Sequence, residues 1–529
     1  MSSTTTLPLP EGDEPKKPVK GAIASTEKAM TKRQIRGSSL LLSGQFLSKL
    51  INFAVQVLIV RYLTKADYGA LGYALSLVAI GESIATFGLD RAITRFVPIY
   101  HERGEYNKLF GTIFMVLGSM LSLGLSMVLL IFAFQGIIGE KYIQDQRALE
   151  LLLILIFMAP VQALDDLLVG MFAVFTSSRA IFFRKHLVGP GLKLLVVLLL
   201  MLAQEDVFFL AGGQLFAGIL GISVYTVMLI QSLRKQELFQ HFQFSTITVP
   251  WREILAFTIP LLTSDLVYVA MNSMDAVMLQ YFHGSVDVAS LRAVQPTAKL
   301  NQIVLASFGL LFTPAAARLF ARNDRKGINN LYWQNAVWIA VASFPIFVLT
   351  FSLARPLTLF LYGERYEQSA IILALLSFSY YFNAALGQNG LTLKVFGKVR
   401  YVVVINILAV LINLGANLIL IPRYGALGAA VGTAGTLVLH NIMKQAGLRM
   451  GTGIDLFEWR YFRVYLIITL CAAALLLVQW LADPPIYISV LLAGVASLIV
   501  FRLNRDLLNV RQNFPELLRI PFMKYILGT

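Results

Sequence analysis

The chain has 529 residues, 57% of them hydrophobic and only 14% charged, with a mean hydropathy of +0.71. Soluble chains carry about 25% charged residues, so water-soluble, fibrous and disordered classes are excluded. The formal net charge is +15, from 44 Lys and Arg against 29 Asp and Glu; on a soluble chain it would suggest nucleic acid, but here membrane orientation comes first.

Long unbroken apolar runs point to transmembrane helices and away from the alternating strands of an outer-membrane barrel. Residues 1–36 are polar, rich in Thr, Pro and Lys, and lack an apolar core, so a disordered tail is expected there and not a signal peptide. Apolar runs then place fourteen spans at 39–60, 68–92, 110–134, 149–175, 187–203, 207–232, 254–282, 288–312, 331–353, 368–393, 401–421, 426–443, 464–482 and 486–501. The expected fold class is an all-α polytopic membrane protein. Its parts are a six-helix lobe (37–235), a second six-helix lobe (251–450), an added helix pair (460–503) and a tail (504–529). The connections are too short to fold as a soluble catalytic domain. The single Cys471 excludes a disulfide framework, and the five histidines show no metal-ligand spacing.

With the amino terminus placed in the cytoplasm, 32 Lys and Arg fall on the inside and seven on the outside, while acids show no such split. That asymmetry is the positive-inside rule, and it predicts cytoplasmic termini in a cell membrane. Most of the +15 is therefore orientation, with no nucleic-acid partner.

Arg61 to Leu71 (RYLTKADYGAL) and Gln280 to Leu291 (QYFHGSVDVASL) both place an aromatic, a polar turn and an Asp at the start of the next helix. Asp67 and Asp287 are read as helix N-caps. An offset of six helices implies a parallel repeat about an axis along the membrane normal.

Ionisable residues inside a bilayer are costly and usually face an interior or an aqueous cavity. In the first span Gln45, Lys49, Asn52 and Gln56 share one helix face, and in the eighth Arg292, Gln295, Lys299 and Gln302 do the same. The seventh span carries Thr258, Asp265, Tyr268, Asn272 and Asp275 within one arc, and the second adds Ser76, Ser83, Thr86 and Asp90. Such stripes would line a water-filled cavity between the lobes; the competing reading is hydrogen bonding between packed helices. That packing reading suits Asn406, Asn413 and Asn417, which have no charge nearby in the sequence. Arg91 is expected to pair with its neighbour Asp90, and Asp165 and Asp166 with Lys193. Gly425 to Gly435 (GALGAAVGTAG) lacks the GK[ST] ending of a phosphate loop, and its small residues indicate close helix packing.

Leu63 to Phe96 (LTKADYGALGYALSLVAIGESIATFGLDRAITRF) resembles the start of prokaryotic polysaccharide-biosynthesis flippases. Leu418 to Gly435 is similar to their carboxy-lobe signature, and Leu359 to Ser377 to the segment before it. The resemblance, from about Arg36 to Met450, is to the oligosaccharide-flippase branch of the multidrug/oligosaccharidyl-lipid/polysaccharide exporter superfamily.

It implies a V-shaped transporter of two six-helix lobes working by alternating access. The implied substrate is a polyprenyl-diphosphate-linked oligosaccharide, flipped from the inner to the outer leaflet. Polysaccharide polymerase or glycosyltransferases are the implied partners. Lys49, Arg292 and Lys299 match by position the cationic cavity of such proteins. Relatives that move peptidoglycan precursor carry several arginines on helix 1, where this chain has only Lys49. In those relatives helices 13 and 14 form a lipid-tail groove.

On this reading Lys49, Arg292 and Lys299 attract the diphosphate, Gln45, Asn52, Gln295, Gln302 and Asn272 bond sugar hydroxyls, and Arg91 lies at the cavity edge. Glu82, Asp265 or Asp275 would carry a coupling proton or sodium ion; no cofactor is expected. A multidrug or cation exporter of the same superfamily and a peptidoglycan-precursor flippase stay open as alternatives. A membrane polymerase or glycosyltransferase does not fit, because the outside loops carry no catalytic cluster.

Overall fold

A computed structural model describes residues 43–143, 145–175 and 182–508. The expected tail 1–36 and most of the tail 504–529 lie outside the described residues. Among those described there is no strand. The helices are α1 (Ser43–Tyr62), α2 (Lys65–Glu102), α3 (Tyr106–Ala133), α4 (Gln146–Phe175), α5 (Phe182–Ala203) and α6 (Val207–Lys235). The second set begins with α7 (Trp251–His283) and α8 (Ser285–Gly309 and Leu311–Ala321), followed by α9 (Arg325–Thr350) and α10 (Ser369–Val395). The helix Val399–Thr452 holds α11 (399–424) and α12 (426–452), and α13 (Trp459–Ala482) and α14 (Ile486–Leu508) complete the set.

Eleven helices among the described residues are long and apolar enough to cross a membrane, or twelve with the bent α8 pair. The expected fourteen is not reached by that measure. The difference lies in α7, which is outside the set, in the bend of α8, and in α11–α12, which count once. Those last two are a hairpin in fact. Gly425 has φ 54° and ψ −132° inside an otherwise helical run, a backbone geometry that glycine adopts without strain. The chain reverses there, and Gly432 and Gly447 on α12 come against Asn417 and Tyr401 on α11 so closely that a Cβ at either would overlap them. The small-residue run is a packing device, as its composition indicates.

Several helices are interrupted where the sequence permits it. α2 breaks at Phe87 and Gly88, both with positive φ, before resuming at Asp90. α5 opens with a π-helical turn, Phe182–Val188, and then places Pro190 in the first turn of its regular part. α8 carries Pro296 and passes through a 3-10 turn at Leu300–Gln302.

The start of α2 corrects one expectation. Thr64 is the N-cap, its hydroxyl oxygen accepting from the backbone N–H of Asp67 at 3.1 Å. Asp67 sits in the first turn and takes Arg147 at 2.5 Å instead. Gly284, in the same way, is the cap of α8, and the Asp287 carboxylate accepts from the backbone N–H of Ala426 at 3.0 Å. Both aspartates therefore lie three residues past their cap and bind other elements, Asp67 a guanidinium and Asp287 a backbone N–H.

Candidate functional site

The two halves meet along α1 and α2 on one side and α7 and α8 on the other. At the end where α1 turns into α2 and α7 into α8, called here the turn end, the joint is closed. Arg61 donates to the carbonyls of Phe360 and Leu361, and Arg365 donates to the carbonyls of Val60 and Arg61. Ser285 bonds Asp145 at 2.5 Å. Gly69 lies so close to Ser285 that a Cβ would overlap its carbonyl.

Arg292 continues the seam inward. It donates to the Ser76 hydroxyl at 2.5 Å across the halves and to Gln295 at 2.9 Å within its own helix. Its backbone carbonyl receives Gln56 at 3.3 Å and the Tyr68 hydroxyl at 3.4 Å. Arg292 and the buried Gln295 thus lock the joint, where the sequence placed them on an open cavity wall.

One turn further along α8 the halves part. Lys299 donates to Asn272 of α7 at 2.8 Å. Past a 3-10 turn at Leu300–Gln302 the helix packs chiefly against α9 and α10 of its own half, and it bends by 43° between Gly309 and Leu311. Gln302 lines a hollow of about 690 Å³ between α8 and α10, together with Asn383 and Gln388. Gln45, Lys49 and Asn52 of α1 are exposed. Asn52 bonds the Ser48 carbonyl at 2.8 Å, and Lys49 makes no ion pair among the described residues. The predicted stripe of α8 is therefore divided, with Arg292 and Gln295 in the closed seam, Lys299 on α7 and Gln302 on a hollow of its own half.

The carboxylates take separate posts. Asp265 pairs with Arg91 at 2.7 Å, so Arg91 does not serve as the partner of Asp90. Asp275 is buried and accepts from Asn417 at 2.6 Å and from Thr433 at 2.7 Å. The carboxylate that α11 seemed to lack in the sequence is thus supplied by α7. Glu82 is part-buried and interacts electrostatically with Asp165, Asp166 and Lys193.

Asp165 does not pair with Lys193. Its partner is Arg184, a buried residue that the sequence had assigned to a loop between spans. The guanidinium lies 4.1 Å from the Tyr225 ring, a cation–π contact that further holds it. The pair floors a chamber of about 210 Å³ inside the first half, whose wall includes Asn52, Gln162, Lys193 and Gln214.

A helical membrane protein of two joined halves, with polar groups concentrated where they part and no soluble domain between its helices, has the build of a membrane transporter. The chain belongs to the polysaccharide biosynthesis protein family, whose model matches residues 35–315, and the MatE model matches residues 260–419. It is accordingly a transporter of the multidrug/oligosaccharidyl-lipid/polysaccharide superfamily and not an enzyme. An uncharacterized membrane protein of Methanocaldococcus jannaschii is 22% identical over 419 residues, covering 76% of this chain and 81% of that one. Stage V sporulation protein B of Bacillus subtilis is 25% identical over 138 residues, covering 26% of this chain and 27% of that protein. Among solved structures, the lipid II flippase MurJ in an inward closed conformation aligns with TM-score 0.69 at 16% identity, over 88% of this chain and 99% of that one. An inward-facing multidrug resistance MATE family transporter aligns with TM-score 0.60 at 15% identity, over 77% of this chain and 94% of that one. At such identities these likenesses speak for the fold alone.

Proposed function

We propose that the protein flips a polyprenyl-diphosphate-linked oligosaccharide from the inner to the outer leaflet of a prokaryotic cell membrane by alternating access. The observation that carries this reading is the sequence of polar groups past the seam, which serves as the mouth of the cavity: Lys299 with Asn272, then Gln302 on the hollow between α8 and α10. A cation there attracts diphosphate, and amides suit sugar hydroxyls. Lys49 and Gln45, exposed on α1, are assigned to the same substrate, and Asn52 reaches it from the chamber of the first half. The Lys and Arg asymmetry supports placing the mouth on the cytoplasmic side. Ion coupling by a proton or sodium ion is assigned to Glu82, since Asp265 and Asp275 already have partners. Lys299→Ala or Lys49→Ala, at normal expression, is expected to abolish glycan export in a complementation assay. Wild-type export from both would overturn the cavity assignment.

A second reading is a multidrug or cation exporter. It is favoured by the MatE match and by the carboxylates Glu82, Asp165 and Asp166, which lie together in the first half. Drug susceptibility of a deletion strain separates the two readings. Reconstitution with a lipid-linked oligosaccharide under an imposed pH or sodium gradient tests both substrate and coupling.

A further inference from the structure

α10, α11 and α12 meet in a seam beneath the short turn that joins α10 to α11, at the membrane end opposite the turn end. Lys444 of α12 is part-buried in that seam. It faces Gly390 of α10, where an added Cβ would lie 3.9 Å from the lysine Cδ and Cε and 4.0 Å from Nζ. Four residues on, along the same face of α10, stands the exposed Lys394, the other charge that acts on Lys444. Neither lysine has a hydrogen-bond or ion-pair partner among the described residues. Among the described residues no carboxylate acts on Lys444, and Asp455, the acid just past α12, is held by Arg449 at 2.6 Å. His440, one turn back on α12, is bonded to Asn406 at 2.8 Å.

A part-buried ammonium whose one charged neighbour among the described residues repels it is left with its desolvation uncompensated. At Gly390 the α10 backbone presents no side chain to the lysine, so its stem lies against bare backbone. Basic pockets between transmembrane helices near one membrane face are suited to the phosphates of lipid headgroups.

We propose that Lys394 and Lys444 form an anion site between α10 and α12 that binds the phosphate of a membrane lipid. The site is separate from the joint between α1, α2, α7 and α8. Two sources share this chemistry: an anionic phospholipid, and the diphosphate of a lipid-linked substrate held before it enters the cavity. Only the second rests on the proposed function.

The test uses the purified full-length protein in detergent, with binding of phosphatidylglycerol and of farnesyl diphosphate each measured by native mass spectrometry. Lys394→Gln and Lys444→Met are each expected to weaken binding about fivefold, and the double variant about thirtyfold. Lys444→Arg should restore most of the loss. A loss for phosphatidylglycerol assigns the site to phospholipid, and a loss confined to farnesyl diphosphate assigns it to the substrate headgroup. Binding of both within twofold of wild type in the double variant overturns the proposal. Lys394 is exposed, so Lys394→Gln alone decides the matter if Lys444→Met does not fold, and binding unchanged within twofold is then the overturning result. Lys299→Ala serves as the internal reference. If it abolishes export while the seam variants bind both lipids normally, the seam inference fails and the proposed function stands. Normal export from Lys299→Ala and Lys49→Ala with weakened phosphatidylglycerol binding in the seam variants gives the reverse.

Discussion

The two ends of the joint between the halves are fastened in different ways. At the turn end, two arginines reach backbone carbonyls of the opposite half, Ser285 meets Asp145, and Gly69 allows backbones to touch. At the other end the links are side chain to side chain: Arg91 to Asp265 at 2.7 Å, Tyr100 to Glu253 at 2.9 Å, and Arg95 over Phe257. All three gather on α7, while the far part of α8 leaves the joint. The turn end is held by shape and by acceptors that cannot move away. The other end is held by side chains that can rotate away from one another.

That contrast predicts a graded series of stabilities in detergent, read by thermal unfolding. Arg292→Ala removes a charged donor shared by Ser76 and Gln295, and should cost about 3 kcal/mol. Gly69→Ala forces a Cβ into the Ser285 backbone and should cost about 2 kcal/mol. Arg365→Ala loses hydrogen bonds to Val60 and Arg61 at the rim, for about 1 kcal/mol. Arg91→Ala breaks an ion pair whose side chains are 42% and 31% exposed, and should cost no more than about 0.5 kcal/mol. Equal losses at Arg91 and Arg292 would erase the distinction between the ends. Disulfide trapping sharpens it further. Cysteines at Asp145 and Ser285 should cross-link readily in the resting protein, and cysteines at Asn52 and Gln302 poorly.

Helical character, the parallel repeat and the polar stripes were legible in the sequence because each depends on local periodicity. The stripe of α8 was found complete. Its division between a locked seam and a part turned toward its own half was not, since that depends on which helices pack around α8 past Gln295. Asp265 and Asp275 share an arc of α7, yet one meets Arg91 of the first half and the other Asn417 of the second. Periodicity gives a face and says nothing about which neighbour covers it. Arg184 escaped notice for a simpler reason: it stands at the start of α5, where a basic residue reads as part of a cytoplasmic loop. The acceptors of Arg61 and Arg365 are main-chain carbonyls, which leave no trace in residue identity.

The two allegiances of α7 have a mechanical consequence. Its first part is fastened to the first half through Glu253, Phe257 and Asp265, and its last part to the second half through Asn272 and Asp275. A helix anchored to both bodies cannot ride with either when they swing apart. It must flex between Asp265 and Asn272, or give up one set of anchors. α7 is therefore a leaf spring clamped at both ends, and in the proposed alternating-access cycle the resistance it offers to bending becomes part of the barrier.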